Sequence, residues 1–471
     1  MKKIILSFMA ILLLFAACRK DINNIDPKNP STATPGALFT NAQRTLANTI
    51  TSSNVNLNIF RLITQQWTET TYTDESNYDL NTRNIPQNVW NTMYRDVLRD
   101  FEEAKRLAGT QVTDTGTRKN DIAITDIMEV YTWYYLVTTF GDIPYSQALD
   151  INRTAPAYDK QRDIYMDLLR RLDADIAALN PNGSSFGSAD IIYGGDASKW
   201  LLFANSFKLK MGMTIADSDP QLSKSTVESA VASGVFTSNA DNAVFKFLNA
   251  PPNTNPIWVD LVQSGRKDFV VTQTVVNRMN QLNDPRTSTF FTTNAAGGYS
   301  GGTPGASNNY ATFSKPGSQI TAPDAPATLL SYSEVEFYLA EAAQRGYNVP
   351  GTAVQHYNNA VTASILEWGG TQAQATTYLA QPQVAYDPVN WRQRIGEQKW
   401  IALYNRGWDA WIEQRRLNYP ALVAPATALS AYPVRFTYPV LEQSLNRANY
   451  QAASTSIGGD LVTTHLFWDV Q

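Results

Sequence analysis

Four carboxylates lie close together in the stretch WTETTYTDESNYDL at residues 67–80: Glu69, Asp74, Glu75 and Asp79. A glycosidase needs two carboxyl groups about 5 to 9.5 Å apart, one on each side of a sugar bond. The same oxygens suit calcium, although the Asp and Gly spacing of an EF-hand loop is absent. A solvated acidic loop is the commoner explanation of such a run. Hydrolase activity therefore remains an alternative interpretation of these carboxylates, but they do not favour it.

A second pattern, GSSFG at residues 183–187, matches the G-x-S-x-G form of a nucleophile elbow. That motif requires an apolar strand before the serine and a helix directly after it. The preceding ALNPN indicates a helix end and a turn, so a loop is favoured here. With only two histidines, His356 and His465, a His-rich metal site is excluded. We predict no catalytic residue, no metal and no cofactor.

Aromatic and polar side chains alternate in the same 67–80 stretch. Sugar rings present apolar C–H faces to aromatic rings and hydroxyls to amides and carboxylates, so such loops have the chemistry that sugar binding needs. A loop-rich region at about residues 235–330 offers similar groups. The predicted ligand-binding residues are Tyr72, Asn77, Tyr78, Trp90, Trp258 and Tyr310. A core position remains the alternative for each of these rings, and Trp90 begins a predicted helix.

Composition narrows the class of partner. The chain has 471 residues, of which 43% are hydrophobic and 17% charged, which is enough apolar material for a large core. Lys and Arg number 38 against 42 Asp and Glu, with no dense basic stripe. Nucleic acid is therefore not a predicted partner, because binding phosphates needs clustered Lys and Arg.

The N-terminus combines Lys2 and Lys3 with an apolar run from Ile4 to Ala17, which is too short to span a bilayer. This pattern is typical of a secretory signal, so we predict a signal peptide at residues 1–17. Cys18 is the only cysteine, and FAAC resembles the lipobox of bacterial lipoproteins. We predict that Cys18 bears a lipid and that residues 18–35 form a flexible tether. An ordinary signal peptide with an incidental cysteine is the alternative.

Helical periodicity dominates the remainder, which we predict to be one domain at residues 36–471. Apolar residues recur every three or four positions in NVWNTMYRDVLRDFEEAKRL at residues 88–107. A helix is predicted to stop at Gly141, and another to begin with Asp196 or Ser198 as its N-cap. One long helix is predicted over WRQRIGEQKWIALYNRGWDAWIEQRR at residues 391–416, followed by a proline-broken, extended tail.

Helix pairing of the tetratricopeptide type is indicated at one place. Ala353, Tyr357 and Ala360 reproduce the small–aromatic–small spacing of the second helix of such a repeat. Small residues let two helices approach while the ring fills the gap between them. No clean repeat of about 34 residues occurs elsewhere, so any further pairs must be degenerate.

Several stretches together resemble the SusD/RagB family of Bacteroidetes outer-membrane lipoproteins, and more particularly its SusD-like branch. They are GGDASKWLLFANSFKLKMGMTIADSDP, NDPRTSTFF, EVEFYLAEAAQRG, YNNAVTASILEWG, EQKWIALYNRGWDAWIEQRRLNYPAL and YPVRFTYPVLEQSLN. They occur in the order that the family has them, and the resemblance extends from Cys18 to about Tyr450.

The resemblance implies a mainly α fold with a scaffold of about four tetratricopeptide-like helix pairs and a loop-rich half for the ligand. It also implies a surface-exposed outer-membrane lipoprotein that captures oligosaccharide and delivers it to a SusC-like TonB-dependent transporter. Ligand residues are poorly shared within the family, so the resemblance assigns none. A peptide or other nutrient binder on the same fold, or a glycoside hydrolase, remains the alternative.

Overall fold

The computed structural model describes residues 33–470, and the fold is mainly helical, as predicted. The predicted signal peptide, Cys18 and most of the predicted tether lie outside the described residues. Among the described residues, no helix combines the length and the apolar character needed to cross a bilayer.

The first half of the described chain is built from helices with one short strand. Its elements are α1 (Pro35–Thr51), α2 (Phe60–Ile63), β1 (Trp67–Glu69), α3 (Ile85–Asn91), a π-helical segment (Thr92–Leu98), α4 (Arg99–Gln111), α5 (Thr115–Phe140), α6 (Gln161–Ala178), α7 (Ala197–Thr214) and α8 (Pro220–Ala232).

The second half adds three short strands and the remaining helices. Its elements are β2 (Ala243–Phe245), α9 (Pro256–Trp258), β3 (Phe269–Val271), α10 (Gln273–Gln281), α11 (Thr287–Phe290), β4 (Ala327–Leu330), α12 (Tyr332–Gln344), α13 (Ala353–Glu367), α14 (Gln372–Leu379), α15 (Trp391–Ala402), α16 (Gly407–Leu417), α17 (Glu442–Leu445) and α18 (Arg447–Ser456).

Helix α5 is the central helix of the fold, and nearly all of its residues from Ala123 to Phe140 are buried. The Asp114 carboxylate begins the helix by accepting a hydrogen bond from the Thr117 N–H at 2.7 Å. Its buried threonine hydroxyls, such as that of Thr132, donate to the carbonyl four residues earlier, so they are not left unpaired. The helix ends at Gly141, whose φ of +89° suits glycine, and this confirms the predicted stop.

Antiparallel helices pack in pairs around α5, including α5 with α6, α7 with α8, and α12 with α13. Asp196 caps α7, as one of the two predicted alternatives. In the α12–α13 pair, Tyr357 and Ala360 are fully buried, and the Ser333 hydroxyl donates to the Ala360 carbonyl at 2.7 Å. The predicted repeat-like contact is therefore present, because the Tyr357 ring and Ala360 both lie buried in the contact between the two helices.

The prediction of one long helix at residues 391–416 is wrong, because the chain breaks between α15 and α16. Asn405 adopts a left-handed φ of +70°, which a continuous helix does not permit. At Gly407 a Cβ atom would lie 2.4 Å from the Arg61 backbone nitrogen, so the helix restarts where α2 packs directly against the backbone. The extended tail also needs correction, since α18 forms within residues 447–456.

A network of buried charges joins α7, α12 and α16. The Lys210 ammonium, 1% exposed, lies 2.9 Å from Glu334 Oε1 and 2.5 Å from Asp409 Oδ1. Arg406 closes the cluster at 2.8 Å from Glu334 and 2.7 Å from Asp409. Burial alone would lower the pKa of Lys210, but Asp409 and Glu334 raise it well above its ordinary value. The relative positions of α7, α12 and α16 are thus fixed by buried charged side chains, which are stable only while they remain paired.

The network continues through a second group of buried side chains. Tyr338 donates to Glu334 at 3.2 Å and to Glu413 at 2.8 Å. Arg416 then contacts Glu413 at 2.7 Å and bonds both oxygens of Glu341 at 2.6 Å. Paired guanidinium–carboxylate bonds of this kind offset the cost of removing the charges from water.

Removing one charge from this network should destabilise the fold strongly. We expect Lys210→Met to lower the free energy of unfolding by about 3 to 5 kcal/mol, because Asp409 and Glu334 would then share only Arg406 and one buried negative charge would be left unbalanced. Urea unfolding followed by circular dichroism measures this. The control is Lys224→Met, which removes the surface pair with Glu228 and should cost less than about 1 kcal/mol. Equal losses in the two variants would contradict the proposed importance of the network.

Candidate functional site

The two-stranded sheet of β1 and β3 brings two distant loops together. The strands are antiparallel, with Trp67 opposite Val271 and Glu69 opposite Phe269. The loop after β1 bears the predicted carboxylates and aromatic residues, and the loop before β3 comes from the loop-rich region. The pairing therefore places both predicted ligand-binding segments at one edge of the molecule.

A third loop, at residues 301–308, fastens the end of β1. The Asn308 N–H donates to the Thr70 carbonyl at 3.0 Å, and its side-chain amide donates to the Glu69 carbonyl at 2.9 Å. A Cβ atom at Gly301 would lie 2.1 Å from the Thr272 carbonyl carbon, so only glycine allows this approach. The glycine-rich segment is thus required for packing beside the sheet.

These loops enclose a small surface cleft of about 160 Å³. Its wall is formed by three segments of the chain and Arg83: residues 53–56 after α1, the end of β1 up to Tyr72, and residues 260–269. The Ser53 hydroxyl donates to Asp260 at 2.8 Å, and Arg266 pairs with Asp268 at 2.7 Å. Ligand pockets that enclose their ligand are usually larger, about 300 to 1,000 Å³. An extended ligand would therefore lie across this cleft and remain partly exposed.

Tyr72 is the predicted residue that the structure displays most openly. Its side chain is 80% exposed and its φ is +56°, an uncommon backbone conformation for a tyrosine. Two residues earlier, Thr70 is anchored by its N–H to the Asp268 carbonyl at 2.8 Å and by its hydroxyl to the Lys267 carbonyl at 2.6 Å. An anchored turn thus presents an aromatic ring to solvent, where its face is accessible to a ligand.

Trp258 and Tyr310 lie on the segments that form or flank the same cleft. Trp258 ends α9, half-buried, two residues before the cleft residue Asp260. Tyr310 is half-buried two residues after Asn308, and its ring centroid lies 4.9 Å from the Lys315 ammonium. Neither ring is among the residues that line the cleft, and both come from segments more than 180 positions from Tyr72 along the chain.

The other three predicted ligand-binding residues are buried. Trp90, 7% exposed, packs edge-on against Phe140 at a centroid distance of 5.1 Å, which is the core alternative noted for it. Tyr78 is 2% exposed and meets Tyr432 edge-on at 6.0 Å. The side-chain amide of Asn77 donates to the Gly305 carbonyl at 2.8 Å. Asn77 and Tyr78 thus support the loops and Trp90 packs in the helical core, so none of the three offers an accessible face to a ligand.

Glu69 and Glu75 form a buried acid pair beneath the cleft, and Glu69 lines its floor. Glu69 Oε2 accepts the Ser76 N–H at 2.9 Å, and Glu75 Oε1 accepts from Arg83. Glu75 Oε2 has no N–H or hydroxyl donor among the described residues. Burial raises the pKa of Glu69 to about 8, opposed by the Ser76 N–H and reinforced by Glu75. A proton held on Glu69 at neutral pH gives Glu75 Oε2 its missing donor.

The acid pair differs from the arrangement that glycoside hydrolysis needs. A hydrolase separates its carboxyl groups by about 5 Å or more, so that a sugar bond or a water lies between them. Here each acid is already bound within the protein, Glu69 to the Ser76 N–H and Glu75 to the Arg83 guanidinium. Among the described residues, no group of three or more His, Cys, Asp or Glu side chains is placed to hold a metal ion.

Arg83, Asn54 and Asn56 belong to the cleft but were not predicted. The amide-rich stretch SSNVNLN directly after α1 was the available signal for the two asparagines. No sequence signal pointed to Arg83, because its position depends on the ion pair with Glu75. The GSSFG segment lies in a loop, as favoured, and Phe186 stacks on Phe39 at 4.1 Å.

Replacing Glu69 with glutamine should change how stability depends on pH. Because the folded-state pKa of Glu69 is raised to about 8, the wild-type protein binds a proton on folding between about pH 5 and 8, and this contribution is lost as pH rises. Glu69→Gln keeps a donor for Glu75 at every pH. We expect the variant to gain more than about 1 kcal/mol relative to wild type between pH 5 and pH 8.5 in urea unfolding.

The matched control for this prediction is Glu102→Gln, at an exposed position paired with Arg99. Its stability relative to wild type should change little between the two pH values. Parallel pH profiles for wild type and Glu69→Gln would show that Glu69 is not protonated in the folded state.

Comparison with solved structures shows the same fold in several proteins. A chitin-binding protein is 26% identical, with a TM-score of 0.82 over 93% of this chain and 100% of its own. A SusD homologue from Bacteroides uniformis is 26% identical, with a TM-score of 0.78 over 92% and 99%. A chitin-binding SusD homologue from Flavobacterium johnsoniae is 24% identical, with a TM-score of 0.79 over 92% and 99%.

No curated protein sequence matches the chain. A family model does so over residues 27–439, which is most of its length. That model, SusD-like, is described as starch-binding and associating with the outer membrane. The helical scaffold, the solved structures that share it and this match agree, and the chain belongs to the SusD-like family.

Proposed function

We propose that the protein is a surface-exposed outer-membrane lipoprotein that binds oligosaccharide without cleaving it. The observation on which this rests is Tyr72, an exposed ring on an anchored turn, with amides and guanidinium groups lining the cleft beside it. The ring offers a stacking face for a sugar, while Asn54, Asn56 and Arg266 offer hydrogen-bond donors and acceptors for hydroxyls.

Chitin oligosaccharides are the first ligands that we propose. Two proteins of the same fold are named for chitin binding, and the family description names starch. Chitin and starch are both glycans. The cleft favours a glycan chain over a single sugar. Its volume of about 160 Å³ is small, so the neighbouring sugar units of a chain would lie outside it and could reach Tyr310 and Trp258. Half-buried rings at these positions would extend the stacking surface.

Weak and reversible capture follows from this geometry. A ligand that remains partly in water loses less hydration and binds through a few stacking and hydrogen-bonding contacts, so it can be released to a partner. We propose that the partner is a SusC-like TonB-dependent transporter and that the lipid on Cys18 keeps the protein at the membrane. The two buried acids beneath the cleft support a binding role over hydrolysis, since Glu69 already accepts the Ser76 N–H and Glu75 already accepts from Arg83.

Replacing Tyr72 tests the proposed stacking. We expect Tyr72→Ala to weaken chitin-oligosaccharide binding about 10-fold, or about 1.4 kcal/mol, because the stacking face is lost. Tyr72→Phe keeps the ring and should stay within about 3-fold of wild type. Isothermal titration calorimetry with the purified full-length protein measures affinity, and chromatography of the same samples should show no released sugar.

Val389→Ala is the control for this measurement, since Val389 is 85% exposed and is not a cleft residue. Unchanged binding in Tyr72→Ala would exclude the cleft as the site. If chitin, starch and other glycans all fail to bind, a peptide ligand on the same fold would be favoured. Released sugar would contradict the proposal that the protein is not an enzyme.

The lipid anchor has a separate test. We expect Cys18→Ser to remove the acyl modification and to shift the protein from the membrane fraction to the soluble fraction, because a lipid chain gains about 0.8 kcal/mol for each buried CH₂. Fractionation with mass spectrometry of the mature N-terminus measures both effects. Ser7→Ala is the control within the same segment, and a membrane-bound Cys18→Ser protein would contradict the anchor.

A further inference from the structure

A larger cavity, separate from the cleft, lies between the end of α1, the segment before β4, the end of α13 and the break between α15 and α16. It encloses about 380 Å³, within the usual range of small-molecule sites, and shares no lining residue with the cleft. Nothing in the proposed glycan capture uses it.

Aromatic rings form one side of this cavity. Tyr404 is buried and stacks on Phe290 at a centroid distance of 4.5 Å, and Trp368 meets the same Phe290 edge-on at 4.8 Å. Trp368 is only half-buried, and its indole N–H has no acceptor among the described residues. The ring is thus held in place while part of it remains available to a ligand.

The charges that face the cavity leave it net negative. Arg406 lines the wall, but its positive charge is matched by Glu334 and Asp409. Glu367 and Asp324 also line the wall, both exposed, and neither has an ion-pair partner among residues 33–470. Within the same described part of the chain, the Glu367 side chain has one hydrogen bond, from the Asn242 amide at 3.2 Å. Two carboxylates without a cation therefore face one enclosed space.

Glu367 is exposed on the cavity wall, and the protein atoms around its carboxyl group raise its pKa, with Arg406 opposing the rise and Glu334 adding to it. Asp324 and Asp409 are the other charged groups of the wall, and Lys210 lies behind Asp409. A cation in the cavity would favour the ionised form of Glu367 and make it release its proton.

We propose that this cavity is a second binding site, for a small organic cation that combines an ammonium group with an apolar ring face, as a protonated amino sugar does. The ammonium would lie between Glu367 and Asp324, and the ring face would cover Trp368. The proposal does not depend on glycan capture at the cleft, and either site can fail its test while the other stands.

Three sugars that differ at one position test the charge requirement: glucosamine, N-acetylglucosamine and glucose. Only glucosamine bears an ammonium, so we expect it to bind the full-length protein at least about 10-fold more tightly than the other two in calorimetry near pH 6. Its binding should also release a fraction of a proton, because the pKa of Glu367 is raised in the free protein and an ammonium beside the carboxyl group would lower it. Titrations in two buffers of different ionisation enthalpy measure this release.

Four variants assign the effect to the cavity. Glu367→Gln should weaken glucosamine binding about 10-fold and abolish the proton release, and Asp324→Asn should weaken binding while keeping the release. Val389→Ala, at an exposed position that lines neither the cavity nor the cleft, should change neither, and Tyr72→Ala tests whether the sugar binds in the cleft instead. Thermal unfolding of each variant checks that the fold is intact, and the Asp324 variant serves if Glu367→Gln is unstable.

The proposal is overturned if glucosamine does not bind, or if the three sugars bind equally. It is also overturned if Glu367→Gln and Asp324→Asn both leave glucosamine binding unchanged. Loss of binding in Tyr72→Ala alone would place the amino sugar in the cleft and exclude the cavity.

Discussion

The buried ion pairs around Lys210 and Arg416 are the constraint on which the rest of the structure depends. An ion taken out of water costs several kcal/mol, which only close and complete pairing offsets. Each charge therefore fixes the position of the helix that supplies its partner. Apolar contacts alone tolerate a small shift between helices, whereas a shift in the ion network would leave a buried charge without its partner.

This scaffold also positions the cleft. The break between α15 and α16 bears Arg406 of the ion network and, next to it, Asn405, whose carbonyl accepts from Arg61 at 3.0 Å. The Gln66 side chain donates to the Leu403 carbonyl at 3.1 Å from the segment that leads directly into β1. Thus the same short break holds both the helices and the strand that leads to Tyr72. It also forms one wall of the larger cavity.

The stretches by which the chain resembles its family are those that supply the ion network. Lys210 belongs to FKLKMGM, Glu334 and Glu341 to the SEVEFYLAEA segment, and Asp409 and Arg416 to GWDAWIEQRR. The resemblance therefore identifies the scaffold, whereas the proposed ligand surface lies on other segments. This explains why the family could be recognised from sequence while the binding residues could not be read from the same motifs.

What the sequence by itself determined is local. The N-cap at Asp196, the helix end at Gly141 and the apolar helix faces depend on neighbours within a few residues. Gly141 was predicted as a helix end, and Asp196 as one of two candidate N-caps. Tertiary structure alone decided that Trp90 and Tyr78 are buried while Tyr72 is exposed, since a ring in a loop has the same local pattern in either case. It also decided the break near Asn405, the proton held by Glu69 and the cavity at Glu367. These depend on segments hundreds of residues apart that meet only when the chain folds, and helical periodicity holds no information about such meetings.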